Sequence, residues 1–450
     1  MENTQQRLFS NKMLIRLLIP LVIEQGLSIL VGMCDGVMVS SAGEAAISGV
    51  SLVDMINAVI LTLFSSLATG GAVITSQLLG ARKQKEAKYS AGQLVMLSAV
   101  LGLVFMGLCL VFARQLMRLF FGSIDADVME AGLVYLRITA LSFPFIALYN
   151  AGAAIFRSIG NSKVSMKVSL LMNLINVTGN AILVLGLKMG VMGVAIPTLV
   201  SRAVAAVVIL VLAARPAMEL RVELRNVFHF QPQMLRRIMR IAIPSACENC
   251  LFQLGRVVVV SMIALFGTAQ TSANAVAGTL DSVSCICGMA AGMAMVTVVG
   301  RCVGAGDMVQ AEYYTKKLLR WTYISMGICN GLILLFCRNL IGLYSSLTPE
   351  TVKLTYTLVM MHCGVGIFLW PLSFTLPNAL RAASDVKYTM RVGVASMILV
   401  RIALSWVLCV HFQWGAVGVW TAMILDWVVR ISFFVPRALS GKWKTKYTGA

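Results

Sequence analysis

Apolar residues run along this chain in blocks too long to be the core segments of a water-soluble domain. Twelve of them lie near 13–39, 46–79, 89–113, 128–155, 164–187, 190–214, 237–266, 272–300, 315–337, 351–378, 388–411 and 415–436. Each is long enough for the ~20 residues that cross the hydrocarbon of a bilayer. The pattern predicts an all-α integral membrane protein of twelve transmembrane helices, multi-pass, with polar connections between them.

The residues that punctuate these blocks come round twice. Ile19-Pro20-Leu21-Val22-Ile23-Glu24-Gln25 returns as Ile243-Pro244-Ser245-Ala246-Cys247-Glu248-Asn249, and the Gly80-Ala81 segment returns at Gly304-Ala305. Phe156-Arg157-Ser158-Ile159-Gly160-Asn161 answers Leu380-Arg381-Ala382-Ala383-Ser384-Asp385, and all three pairs share one offset of 224 positions. Matches in one register across much of each half mark a duplicated six-helix unit. Six is even, so both halves enter the membrane from the same side. Two parallel bundles related by an axis along the membrane normal are a transporter pattern. The division is 1–214 for the first bundle, 215–236 for a cytoplasmic linker carrying Pro216 and Pro232, and 237–450 for the second bundle. Nothing at the N-terminus reads as a cleaved signal, so the first helix is expected to be kept.

Composition agrees, with 59% hydrophobic and 12% charged residues and a mean hydropathy of +0.86. A net charge of +19 would suit a nucleic-acid binder, but the placement of the bases follows the membrane. Of 37 Lys and Arg, 28 fall on one face and five on the other, leaving Arg137, Arg202, Arg256 and Arg401 inside helices. That asymmetry puts both termini in the cytoplasm and removes the reason to expect nucleic acid. The eleven cysteines sit mostly within apolar helices and read as small buried hydrophobes. Cys285-Ile286-Cys287 is too closely spaced, and without companion ligands in the sequence, to be a zinc site. No HExxH, no GxxxxGK[ST] and no paired prenyltransferase-type aspartates are present, so an enzyme is not expected and ATP is not the direct energy source.

Six acids fall inside apolar stretches: Glu24, Asp35, Asp54, Glu248, Asp281 and Asp426. An intramembrane acid costs a few kcal/mol uncompensated, so each is expected to be paired or functional. Asp35 follows Glu24 by eleven residues, which returns it to within about 20° of the same helix face, ~16 Å along. Burial disfavours the charged carboxylate, so such a group can exchange a proton for a cation. Asp426 stands four residues before Arg430, the spacing of a local ion pair. Arg202, 224 positions before Asp426, is expected either to pair with it or to serve substrates. Glu248 is expected to couple or bind substrate, or to pair with Arg256 or another buried base; Asp281 has Asn57 at its repeat position. Asn173, Asn176 and Asn180 suit interhelical hydrogen bonds in lipid.

Pro20, the run Val31-Gly32-Met33-Cys34-Asp35-Gly36-Val37-Met38-Val39, Gly80-Ala81, Phe156 to Asn161 and Gly190-Val191-Met192-Gly193-Val194-Ala195 resemble the multidrug and toxic compound extrusion (MATE) family. So do the echoes Gly300 to Ala305 and Gly415-Ala416-Val417-Gly418-Val419, and the likeness spans the chain. The resemblance implies two six-helix bundles around a V-shaped cavity, exporting cationic, amphipathic organic compounds by antiport with H⁺ or Na⁺. No other cofactor is implied; the protein is expected in the bacterial cytoplasmic (inner) membrane, contacting membrane lipid, as a monomer. Carried over residue by residue, the ion-coupling set is Asp35, Asn176, Asn180 and Thr198, with Pro20 as the kink. Asn180 stands where the family usually has aspartate, which takes one charge from a Na⁺ site held by Asp35, Asn176 and Asn180. Glu248 and Asp281 are candidate acids of the second bundle, and Glu24, Asp35, Tyr149 and Glu248 candidates for the substrate cavity. A flippase of lipid-linked oligosaccharide or a related lipid would share the fold, with more cations facing its cavity.

Overall fold

The computed structural model describes residues 7–41, 43–122, 125–344 and 347–447, and the described elements are all helical. Helices 1 to 3 are Asn11–Ser40, Glu44–Gly80 and Gln84–Val111. Helix 4 is a pair, Ala126–Leu141 and Phe143–Ser158, bent by 45°. Pro144 stands at the start of its second arm, where its missing N–H costs least. Helices 5 to 7 are Ser162–Gly186, Gly190–Ala213 and Pro232–Ala264. Helix 8 is Thr268–Ser284 followed by Ile286–Gly304, broken at Cys285. Helices 9 to 12 are Met308–Leu335, Pro349–Ala382, Val386–His411 and Gly415–Leu439. With the bent pair taken as one, the twelve expected spans are present.

Two of the three repeated motifs turn out to be helix ends, while the Pro20 and Pro244 motifs lie inside helices 1 and 7. After helix 2, Lys83 N–H reaches Leu78 O at 3.0 Å and Arg82 N–H reaches Leu79 O at 3.1 Å; after helix 8, Asp307 and Gly306 do the same to Cys302 O and Val303 O, each at 3.0 Å. Helices 4 and 10 end alike, with Asn161 to Phe156 and Asp385 to Leu380, both at 2.9 Å. This is the paired 6→1 and 5→2 bonding of a Schellman cap, which needs one left-handed residue. Gly160 (φ 81) and Gly306 (φ 75) supply it freely, while Arg82 (φ 59) and Ser384 (φ 68) do so against the clash of a Cβ.

One register detail differs from the sequence reading. Helices 6 and 12 open on Gly190 (φ 57) and Gly415 (φ 55), an offset of 225. The extra residue enters between Asp385 and Gly415, where helix 11 carries two π-helical stretches, Met397–Leu404 and Val407–His411, against one in helix 5, Ala181–Gly186. A π-bulge is the way a helix absorbs one added residue. The repeat mate of Arg202 is therefore Trp427 rather than Asp426.

Packing divides the chain into two units, Ile15–Ala246 and Met1–Leu14 with Cys247–Ala450. This differs from the division by repeat, because the first turn of helix 1 groups with the second half's helices and roughly the first four turns of helix 7, up to Ala246, with the first half's. In the first unit, Gly70 lies so close to helix 7 that a Cβ would sit 2.9 Å from Ala242 Cβ; small residues permit such approach in membrane helices. The linker is docked as well: Gln93 Nε2 donates to Asn226 O (3.0 Å) and His229 O (2.7 Å) and its Oε1 accepts from Gln231 N–H (3.1 Å). In the second unit, Phe9 lies edge-on to Tyr314 at 5.6 Å, its N–H donating to Tyr314 Oη (2.9 Å) while Oη donates back to Phe9 O (2.7 Å). Trp370, Trp420 and Trp427 fill that unit's core.

Candidate functional site

Four of the six intramembrane acids are tied to bases or to a histidine. Glu24 is buried, and Arg157 Nη1 lies 3.4 Å from its Oε1. Ser165 Oγ donates to Oε2 at 2.8 Å and Tyr149 Oη to Oε1 at 3.5 Å. In the second half Arg381 Nη2 donates to Glu248 Oε2 at 2.7 Å. Glu24 and Glu248 are repeat mates, and so are Arg157 and Arg381. Two motifs quoted separately from the sequence thus meet in space, once in each half. Arg430 also approaches Glu248 at 3.9 Å, while its Nε donates to both oxygens of Asp426 at 3.2 and 3.1 Å and Ser396 Oγ donates to Asp426 Oδ1. The Asp426–Arg430 pair follows its spacing. Glu248 pairs with Arg381 and Arg430, buried bases other than Arg256, and Glu24 and Tyr149 are buried against one another.

Among the described residues, Asp35 has no base in salt-bridge contact. Asn180 Nδ2 donates to its Oδ1 at 2.7 Å. The Asn176 amide fits with its nitrogen toward the carboxylate, donating to Oδ1 at 3.0 Å and Oδ2 at 3.3 Å, while its oxygen accepts from Thr198 Oγ1 at 3.1 Å. Helix geometry makes the set: Asn176 and Asn180 are one turn apart on helix 5 and share a face, and Thr198 is on helix 6, which packs beside it. The four residues carried over from the family resemblance are in one place. Asn180 Oδ1 is buried without a hydrogen-bond partner. Asp54, with Asn57 Nδ2 at 3.4 Å, and Arg202, donating to Ser142 Oγ at 2.8 Å, act on Asp35 through their charges. Tyr135, hydrogen-bonded to Asp54, belongs to the same surroundings, and sequence reasoning passed over it because a tyrosine in an apolar helix carries no signal. The repeat mate of Asp35 is Val259, so this cluster is built once.

Asp281, on helix 8, lies 2.7 Å from His362 Nε2 of helix 10, and Cys285 Sγ donates to it at 3.4 Å. Cys285, read from sequence as lacking companion ligands, has two beside it.

A 28% identical relative is the uncharacterized transporter YisQ of Bacillus subtilis, over 434 residues that cover 95% of this chain and 94% of that one. The probable multidrug resistance protein NorM of Thermotoga maritima is 24% identical over 449 residues, covering 97% and 93%. The crystal structure of MATE in the bent conformation superposes with a TM-score of 0.86 at 20% identity, covering 97% of each chain, and so shares the fold. The MatE sequence profile matches twice, at residues 20–182 and 244–407, with the half-to-half offset growing by one between start and finish as in the structure. Fold, repeat and both matches agree that the chain belongs to the MatE family of multidrug and toxic compound extrusion transporters, transport proteins rather than enzymes.

Proposed function

We propose that this protein exports cationic, amphipathic organic compounds across a bacterial cytoplasmic membrane by antiport, with H⁺ or Na⁺ entering at Asp35. The observation that carries the reading is a carboxylate held only by neutral amides, beside a buried amide oxygen that has no partner. Glu24 and Glu248 have arginines to neutralise them; among the described residues Asp35 has none in contact. When it is charged, both amide nitrogens face it. When it takes a proton, its O–H needs an acceptor, and Asn180 Oδ1 or a turned Asn176 amide provides one. Na⁺ is served by the same oxygens together with Thr198 Oγ1, all hard donors. Either ion switches the hydrogen bonding of helices 1, 5 and 6 in one step.

Ion entry neutralises the site and resets the carrier after the organic cation has left. One charge moving across 100 mV supplies ~2.3 kcal/mol, enough for a roughly fifty-fold gradient of a neutral substrate. The working protein is a monomer in contact with lipid, both termini cytoplasmic, in keeping with the distribution of its Lys and Arg. Relatives named as multidrug resistance and multidrug export proteins support a drug-like substrate.

The test is efflux of ethidium from cells or vesicles under an imposed proton or sodium gradient, for the wild type and Asp35→Asn. Efflux driven by one gradient and lost in Asp35→Asn, with the variant folded, identifies the ion and the site. Equal efflux in the variant rejects Asp35 as the coupling residue. No movement of any organic cation under either gradient rejects the drug-exporter reading and turns attention to lipid-linked substrates.

A further inference from the structure

The cluster on helices 8 and 10 has a donor set that the transport reading leaves unused. Asp281 and Cys285 stand one turn apart at the point where helix 8 breaks, so both side chains leave the same face. His362 comes from the middle of helix 10, its ring edge-on to Trp420 at 5.8 Å and Trp427 at 5.1 Å, which fixes its plane. One donor atom from each of Asp281, Cys285 and His362 lies within 4.8 Å of the others. Donors around one tetrahedral zinc-class ion are spaced ~3.4–3.7 Å apart, so the set would need to adjust by at most about 1.4 Å.

We propose that Asp281, Cys285 and His362 form a binding site for a divalent transition-metal ion of the zinc class. Three features carry it. Imidazole, thiol and carboxylate together are the donors such ions select, and magnesium or calcium would want oxygen alone. His362 Nδ1 is buried without a partner, so no second hydrogen bond commits the ring to the Asp281 contact. The charge also closes: a dication with one carboxylate and one thiolate sums to zero, the state a low-dielectric interior tolerates. Binding therefore displaces the thiol proton, Cys285–SH + M²⁺ giving Cys285–S–M⁺ and H⁺. Arg256 and Arg401 act electrostatically on Asp281 and oppose a bare dication, which makes that proton release part of the binding step. Asp281 keeps 27% of its side chain exposed while His362 keeps 2%, leaving an entry on the carboxylate side. The repeat mates of the three are Asn57, Leu61 and Ile138, so no inherited symmetry accounts for the grouping.

The test is titration of the purified, untagged protein in detergent with Co²⁺ and Zn²⁺. Expected is one Co²⁺ per chain, with intense tetrahedral d–d bands, a sulfur-to-cobalt charge-transfer band, and release of one proton. Zn²⁺ should displace it. Cys285→Ser should abolish the charge-transfer band and weaken binding by more than about tenfold; His362→Gln should weaken it comparably, and Cys247→Ser, at an exposed thiol, should leave both unchanged. Monodisperse elution confirms that each variant is folded. Absence of a charge-transfer band in the wild type, or its survival in Cys285→Ser, overturns the proposal and leaves a buried Asp–His contact. The outcome is independent of Asp35, which lies in the other unit.

Discussion

Removing Arg381 should unfold the second unit far more readily than removing its repeat mate Arg157 unfolds the first. Glu248 is 7% exposed, Arg381 12%, and their contact is 2.7 Å. Without Arg381 the carboxylate keeps only Arg430, at 3.9 Å, which Asp426 already shares. Orphaning one member of a buried pair costs ~3–5 kcal/mol. For a unit of this size that is a fall in midpoint of roughly 10 °C. Glu24 is better insured: its arginine is at 3.4 Å, and Ser165 and Tyr149 still donate to it, so Arg157→Ala should cost only ~1–3 kcal/mol. All seven tryptophans lie at position 321 or beyond, so intrinsic fluorescence on heating reports the second unit. A thiol-reactive dye reading buried Cys109 reports the first. Adding Glu248→Gln to Arg381→Ala should recover part of the loss, since the stranded charge is gone. No measurable loss in Arg381→Ala, a larger loss in Arg157→Ala, or no recovery in the double variant would refute the reasoning.

Gly393→Ala would place a Cβ 2.6 Å from Glu248 Oε1, pushing the carboxylate off Arg381; a loss of ~1–3 kcal/mol in the same melt is expected, against almost none for Gly327→Ala, whose Cβ meets nothing. At the equivalent caps after helices 2 and 8, Gly306→Ala should destabilise by about 1 kcal/mol and Arg82→Gly should stabilise by a similar amount, because both positions are left-handed; matched denaturation curves check the opposite signs. Tyr314→Phe removes the hydroxyl that both donates to and accepts from the Phe9 backbone, and limited proteolysis should cleave ahead of helix 1 faster than in the wild type.

The membrane spans and the duplication were legible because hydropathy and a fixed offset are properties of the chain itself. So was the Asp35 set, through the family resemblance. The Glu24–Arg157 contact was not read, although both residues stood in motifs already quoted. Their partnership depends on helices 1 and 4 meeting, and sequence spacing says nothing about that. The slip from 224 to 225 was missed because a π-bulge leaves the apolar pattern of helix 11 almost unchanged while rotating everything after it. His362 lies far along the chain from Asp281 and Cys285, so only the packing of helix 10 against helix 8 makes their grouping visible.

The Glu–Arg pair, present at matching positions in both halves, also dates itself. Whatever both copies hold was in the ancestral six-helix protein before it doubled, so that ancestor already carried the pair and the Schellman-capped helix ends, and two separate chains would have stood where one now stands. Asp35 with Val259 at its repeat position, and Asp281 with Asn57 at its own, record what happened afterwards. Once the two copies were fused they no longer had to be identical, and a carboxylate in a membrane interior could be kept in one copy while the other held hydrocarbon, as at Val259, or a neutral amide, as at Asn57.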